Sequence, residues 1–175
     1  MTTLSATIPP TIIQEAAEQR LDLAADLKAL QPANGGNPDA AVALQRPAIL
    51  RRLADALAVF IPAGTDRLVA QAGTDATLAA AVSLHSGIAF ALVDVASGEV
   101  IGELHRSERT VLLSYEAKDS EKDVLTVLAK AGAKPGIGLH VVGPEAQNAR
   151  PSSLTRHTLF RFAELSTDIK ESHHD

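Results

Sequence analysis

Apolar and polar positions follow two different rhythms along the chain, and the change between them divides it. From Thr11 onward, Ile12, Ala16, Leu23, Leu27 and Leu30 recur at helical spacing, which predicts an amphipathic helix ending near Gln31. Pro32-Ala-Asn-Gly-Gly-Asn-Pro38 combines conformationally permissive glycines with two prolines and reads as a loop. Pro47 suits the first turn of a second helix, where its missing N–H costs nothing. Ile49, Leu50, Leu53, Leu57 and Phe60 give that helix an apolar face, and Ile61-Pro-Ala-Gly64 ends it.

Beyond Gly64 the pattern becomes short, continuous apolar runs separated by helices. Arg67-Leu-Val-Ala70, Ile88-Ala-Phe-Ala-Leu-Val93, Thr110-Val-Leu-Leu113 and Gly136-Ile-Gly-Leu-His-Val-Val142 read as buried strands. Residues 77–85 and 120–131 read as helices, the second capped by Ser120 with Asp123 three residues on. Ala96-Ser-Gly-Glu99 reads as a hairpin turn with Val100-Ile101 as its return arm, and Thr158-Leu-Phe-Arg-Phe162 as an edge strand or docking arm. This order predicts an α/β fold, a mostly parallel central sheet flanked by helices on both faces. The expected organisation is a loose arm over 1–10, a single domain over 11–165 and a frayed polar tail over 166–175.

Composition narrows the function. Aromatics are only 3% of the chain, which leaves few platforms for stacking bases. The net charge is -5 and there is no long basic run, so no nucleic-acid partner is expected. There are no cysteines, which excludes disulfides, thiolate nucleophiles and Cys-ligated metals. Met1 to Pro10 lacks the basic-then-apolar order of a signal peptide, and no apolar run approaches the ~20 residues of a membrane span. A cytoplasmic protein with no membrane partner is therefore the expectation.

In open parallel sheets, ligands sit beyond the carboxyl ends of the strands. Three loops occupy that rim, at residues 71–77, 94–103 and 114–123. A phosphate-binding loop wants glycines and hydroxyls beside a helix N-terminus, so that backbone N–H groups can approach the anion. The third loop instead places Asp119, Glu121 and Asp123 at the start of its helix, where carboxylates stabilise the helix and repel an anion.

The candidate ligand-binding residues are Ser114, Tyr115, Glu116, Asp119 and Ser120 in that loop, with Thr74, Asp75 and Thr77 in the first. Glu116 could hold a diol or a cation, or be a solvated carboxylate. Tyr115 could stack on a small ring or pack over the sheet rim. Asp119, Glu121 and Asp123 could hold a cation, though their spacing matches no established calcium loop, or simply cap the helix. Thr74, Asp75 and Thr77 could bind an amine or a sugar, and Thr74 or Asp75 could be a plain helix cap. No histidine pair has zinc-site spacing, so no metal site is expected, and His140 reads as a structural residue of a core strand. Ser114 follows a strand but lacks a G-x-S-x-G elbow, so no catalytic residue is assigned.

From about Leu21 to Val142 the order of elements resembles orotate phosphoribosyltransferase, of the type I phosphoribosyltransferase family. Arg46-Pro47, opening a helix, is similar to the N-terminal helical hood region. Leu68-Val-Ala-Gln-Ala-Gly-Thr-Asp-Ala-Thr-Leu-Ala-Ala80 resembles the strand, pyrophosphate loop and helix, and Gly87-Ile-Ala-Phe90 the strand that follows. Val111-Leu-Leu-Ser-Tyr-Glu-Ala-Lys-Asp-Ser-Glu-Lys-Asp123 occupies the place of the phosphoribosyl-pyrophosphate motif, and Ala129-Lys-Ala-Gly-Ala133 the end of the next helix.

The departures fall on functional positions. Where the family has two adjacent acids, this chain has Tyr115 and Glu116. Where it has a Thr-Thr-Gly-Gly type turn for the 5′-phosphate, this chain has Asp119-Ser-Glu-Lys122. Thr74-Asp75 replaces the Gly-Gly of the pyrophosphate loop, and residues 97–104 carry no Lys or Arg where the family's mobile loop supplies them. Phosphoribosyl transfer rests on positioning and charge neutralisation. The expectation is a catalytically silent relative with a binding or regulatory role, taking a neutral or cationic small molecule or a protein partner. No cofactor is expected. The alternative is an active transferase, which would need magnesium. The resemblance implies a homodimer, and a structural partner of an active paralogue is the third reading.

Overall fold

The computed structural model describes residues 10–32, 36–118, 121–144 and 154–166. Three helices lead the chain: α1 (Pro10–Lys28), α2 (Ala40–Leu44) and α3 (Pro47–Ala58). Then come β1 (Arg67–Gln71), α4 (Thr74–Ser86), β2 (Phe90–Asp94), β3 (Glu99–Ile101), β4 (Thr110–Glu116), α5 (Glu121–Lys130), β5 (Ile137–Gly143), β6 (Thr155–Arg161) and α6 (Phe162–Leu165). The strands form one six-stranded sheet in the order β3-β2-β1-β4-β5-β6. All pairings are parallel except the β2–β3 hairpin.

The central strands β1, β2 and β4 are covered on both faces because each alternates its apolar side chains between two cores. Leu68, Ala70, Val111 and Leu113 point into the larger core with α3 and α4. Val69, Leu112, Ala91 and Val93 point into a smaller one with Val124, Val127 and Leu128 of α5. Continuous apolar runs, rather than period-2 alternation, are what such a sandwich requires.

Several boundaries differ from the sequence reading. α2 was not expected; Asp39 caps it, its Oδ1 accepting from the Ala41 N–H at 2.8 Å. α4 begins three residues before Thr77 because Gly73 takes φ +113° and turns the chain sharply out of β1. β6 starts at Thr155, and the short α6 follows it directly. The loop at 94–103 is an ordered hairpin: Asp94 Oδ1 accepts from the Ala96 N–H at 2.9 Å and closes the turn.

The topology fixes where a crevice opens. Reading from β1, the chain moves to one side through β2 and β3 and to the other through β4, β5 and β6. The switch point lies between β1 and β4, so the β1–α4 and β4–α5 connections flank it. β1 and β4 pair as far as Ala70 with Leu113, while β4 continues to Glu116. The end of β4 therefore stands beyond its neighbour, with backbone groups that β1 does not reach.

Candidate functional site

A small cavity of about 60 Å³ opens at this switch point, lined by Gln71, Asp75, Ser114, Glu116, Lys118 and Glu121 among others. It brings together four of the residues singled out from sequence, counting Glu121 with the acidic cluster. Thr74 and Thr77 lie on the exposed side of the first turn of α4 and do not line it. Asp119 and Ser120 lie outside the described residues. Asp123 is exposed.

Asp75 does not cap its own helix, since Gly73 holds the N-cap position. Its carboxylate reaches across the switch point instead, where Oδ1 accepts the Tyr115 backbone N–H at 2.8 Å. That N–H is the donor left over by the mismatch in length between β1 and β4. Burial pushes the Asp75 carboxyl above the ordinary carboxylate range, and the Tyr115 N–H pulls it partly back.

Tyr115 itself is 2% exposed and belongs to the larger core. Its ring is packed inside rather than offered to a ligand, and burial pushes its phenol upward. Glu116 stays at the rim, held by Lys118 Nζ at 3.5 Å and Asn37 Nδ2 at 3.4 Å.

Behind the cavity lies a buried polar chain. Ser114 donates its hydroxyl hydrogen to the Glu116 carbonyl at 3.1 Å, and its Oγ lies 2.7 Å from His140 Nδ1. With that hydrogen already spent, the imidazole carries its own on Nδ1 and donates to Ser114. His140 is fully buried, and burial lowers its pKa to about 4, so the ring is neutral at pH 7. Its Nε2 has no partner and faces Gly138, where an added Cβ would lie 2.9 Å away.

Glu121, read from sequence as part of a cation site or as a helix-capping acid, is 5% exposed. Arg156 of β6 clamps its Oε2 through Nε and Nη2, both at 3.0 Å. Burial raises the Glu121 carboxyl, and Arg156 opposes that rise. Ser114, His140 and Glu121 thus meet, but not as a catalytic relay. Both Ser114 Oγ and Glu121 Oε1, the latter at 3.5 Å, face the same ring nitrogen, whereas a relay needs one partner on each.

Among the described residues, no group of three His, Asp or Glu side chains could hold a metal ion. A larger groove of about 1070 Å³ runs between α1, α3 and β6. It contains none of the candidate residues; of its lining residues, Arg20 pairs with Glu164, and Arg52 with Asp26. Among the described residues, no helix is long and apolar enough to cross a membrane.

The sheet order, the hood of helices and the crevice between β1 and β4 define a fold of the type I phosphoribosyltransferase class. Within that class, UMP synthase from Leishmania donovani matches at 17% identity and a TM-score of 0.68, covering 83% of this chain and 36% of its own. The present chain thus spans about a third of that protein's length. Orotate phosphoribosyltransferase from Mycobacterium tuberculosis H37Rv, solved with inorganic phosphate, matches at 14% identity and a TM-score of 0.67, covering 84% of this chain and 90% of its own. Adenine phosphoribosyltransferase from Leishmania tarentolae matches at 12% identity and a TM-score of 0.62, covering 81% and 88%. At these identities the likeness is one of fold. No protein-family profile matches the chain, and no curated protein matches its sequence.

Proposed function

We propose that the chain is a catalytically silent protein on a phosphoribosyltransferase scaffold, with a binding or regulatory role exercised at the switch-point cavity. The observation that carries this reading is the Asp75 carboxylate seated on the Tyr115 N–H. A polyanionic sugar donor needs free backbone donors and cations. Here the leftover donor at the end of β4 is spent on an internal carboxylate. Lys118, the one cation lining the cavity among the described residues, already lies against Glu116. Glu121 adds a further carboxylate beside them. The ligand that suits this cavity is neutral or cationic. A cytoplasmic homodimer is the assembly expected of the scaffold.

The test is direct. Purified protein is incubated with orotate, or with adenine, plus phosphoribosyl pyrophosphate and magnesium, and nucleotide is measured by chromatography. The expected result is no product above the uncatalysed background and no thermal stabilisation by phosphoribosyl pyrophosphate. Nucleotide formation that disappears in Glu116→Ala would overturn the proposal in favour of an active transferase.

A further inference from the structure

Glu121 has a carboxylate oxygen that nothing uses. Its side chain is 6% exposed, Oε2 is clamped by Arg156, and Oε1 is buried with no hydrogen-bond partner. The nearest donor atom, His140 Nδ1, is 3.5 Å away, and its hydrogen goes to Ser114 at 2.7 Å. A buried, unpaired carboxylate oxygen costs free energy, and such atoms mark places where a ligand, ion or water completes the shell.

Glu121 lines the same cavity as Asp75 and Glu116; the Lys118 ammonium lies against Glu116 and the Arg156 guanidinium against Glu121 Oε2, which leaves the Asp75 carboxylate and Glu121 Oε1 without a cationic partner among the described residues. The acids are mutually unfavourable: the charge of Asp75 pushes the Glu121 carboxyl up, adding to the effect of burial. Their arrangement also limits the cation. No three acidic or imidazole groups among the described residues converge closely enough for a metal ion. A cation that carries several N–H donors in divergent directions fits separated acceptors better than a bare ion does. The cavity, about 60 Å³, admits one such head and no ring system.

We infer that the cavity between β1 and β4 takes a primary ammonium group, donated to Glu121 and Asp75, as the ligand class of the proposed binding site. This rests on the reading of the site as a binding cavity that excludes the sugar donor. The head could belong to a free amine or to a lysine side chain of a polypeptide, and both present the same chemistry.

The experiment uses the whole protein at low ionic strength. Methylammonium chloride, representing a free amine, and N-acetyl-lysine-N-methylamide, representing a polypeptide lysine, are titrated while 1H–15N spectra are recorded. Tetramethylammonium and potassium at matched ionic strength are the controls. Saturable shifts of the Gln71, Tyr115 and Ala117 amides are expected with one or both primary ammonium probes and with neither control. In Glu121→Gln, which retains an acceptor for Arg156, affinity should fall roughly tenfold, the loss of one charge-assisted hydrogen bond. Asp75→Asn, which still accepts from Tyr115, provides a second weakened variant should Glu121→Gln fold poorly. Equal shifts with tetramethylammonium, or wild-type affinity in the variants, would overturn the inference. So would the absence of shifts with both primary ammonium probes. Such a failure leaves the proposed function standing if phosphoribosyl pyrophosphate also fails to bind. Binding of the sugar donor would instead sink both.

Discussion

The protonation of His140 gives a sharp physical test of the buried chain behind the cavity. Its ring is held at about 4, against 6.5 for the free side chain, mainly by burial and secondarily by the Arg156 charge. The folded value is depressed, so the unfolded chain binds the extra proton first and stability falls as pH drops from 6.5 toward 4. Integrating a shift of that size gives a loss of about 2 kcal/mol by pH 5 and about 3 kcal/mol by pH 4, relative to pH 7. Asp75 and Glu121 work in the opposite direction. Their folded values are raised, so the native state takes up their protons first and gains stability on acidification. The raw pH profile is therefore blunted, and the informative quantity is the difference between wild type and His140→Asn. Asparagine places an amide near the position of Nδ1, can still bond Ser114 and does not titrate. Urea unfolding followed by far-UV circular dichroism at several pH values between 7 and 4.5 measures both proteins; there is no tryptophan to follow. The wild type should lose stability relative to the variant across this window, while a constant offset from the repacked site leaves the slope untouched. Parallel curves would show that His140 does not titrate as its burial demands and would refute the argument.

Asp75→Ala leaves the buried Tyr115 N–H without an acceptor and should destabilise the fold by about 2 kcal/mol, measured by urea unfolding at pH 7. Arg67→Ala breaks the bidentate pair with Glu108, whose side chains are 11% and 15% exposed, and should cost about 3 kcal/mol in the same assay. Because Arg67 holds Glu108 down at about 2, that stabilisation is present above pH 4.5 and is lost as pH falls toward 2. Gly138→Ala would place a methyl 2.9 Å from His140 Nε2 and 3.0 Å from Leu154 Cδ2, and should lower stability by about 2 kcal/mol through overpacking, read as a lower thermal midpoint.

The strands of this fold are legible in sequence because burial on both faces writes itself as unbroken apolar runs. Val111, Leu112 and Leu113 carry that mark, and all three are buried. Pro47 likewise marks the start of α3. What escaped the pattern is short or polar. α2 spans five residues, too few for helical periodicity to show. β6 opens with Thr155, Arg156 and His157, an exposed beginning that an edge strand tolerates and that apolar-run reasoning cannot find.

The candidate site was legible as a set of loops but not as a set of bonds. Nothing local separates Glu121 from Asp123, both acids in the first turn of α5. One is buried and the other exposed because Arg156 waits 35 residues away for the first. Asp75 likewise looks like a helix cap until the end of β4, 40 residues on, offers an N–H that β1 cannot reach. This changes the physical argument against a polyanionic ligand. Counting carboxylates in the loops suggests simple repulsion, yet Glu116 lies against Lys118 and Glu121 is clamped by Arg156, so much of that charge is compensated internally. The stronger obstacle is occupancy. An anion arriving at the end of β4 must displace the Asp75 carboxylate from the amide it would use, and the carboxylate is covalently attached, always present and already at 2.8 Å.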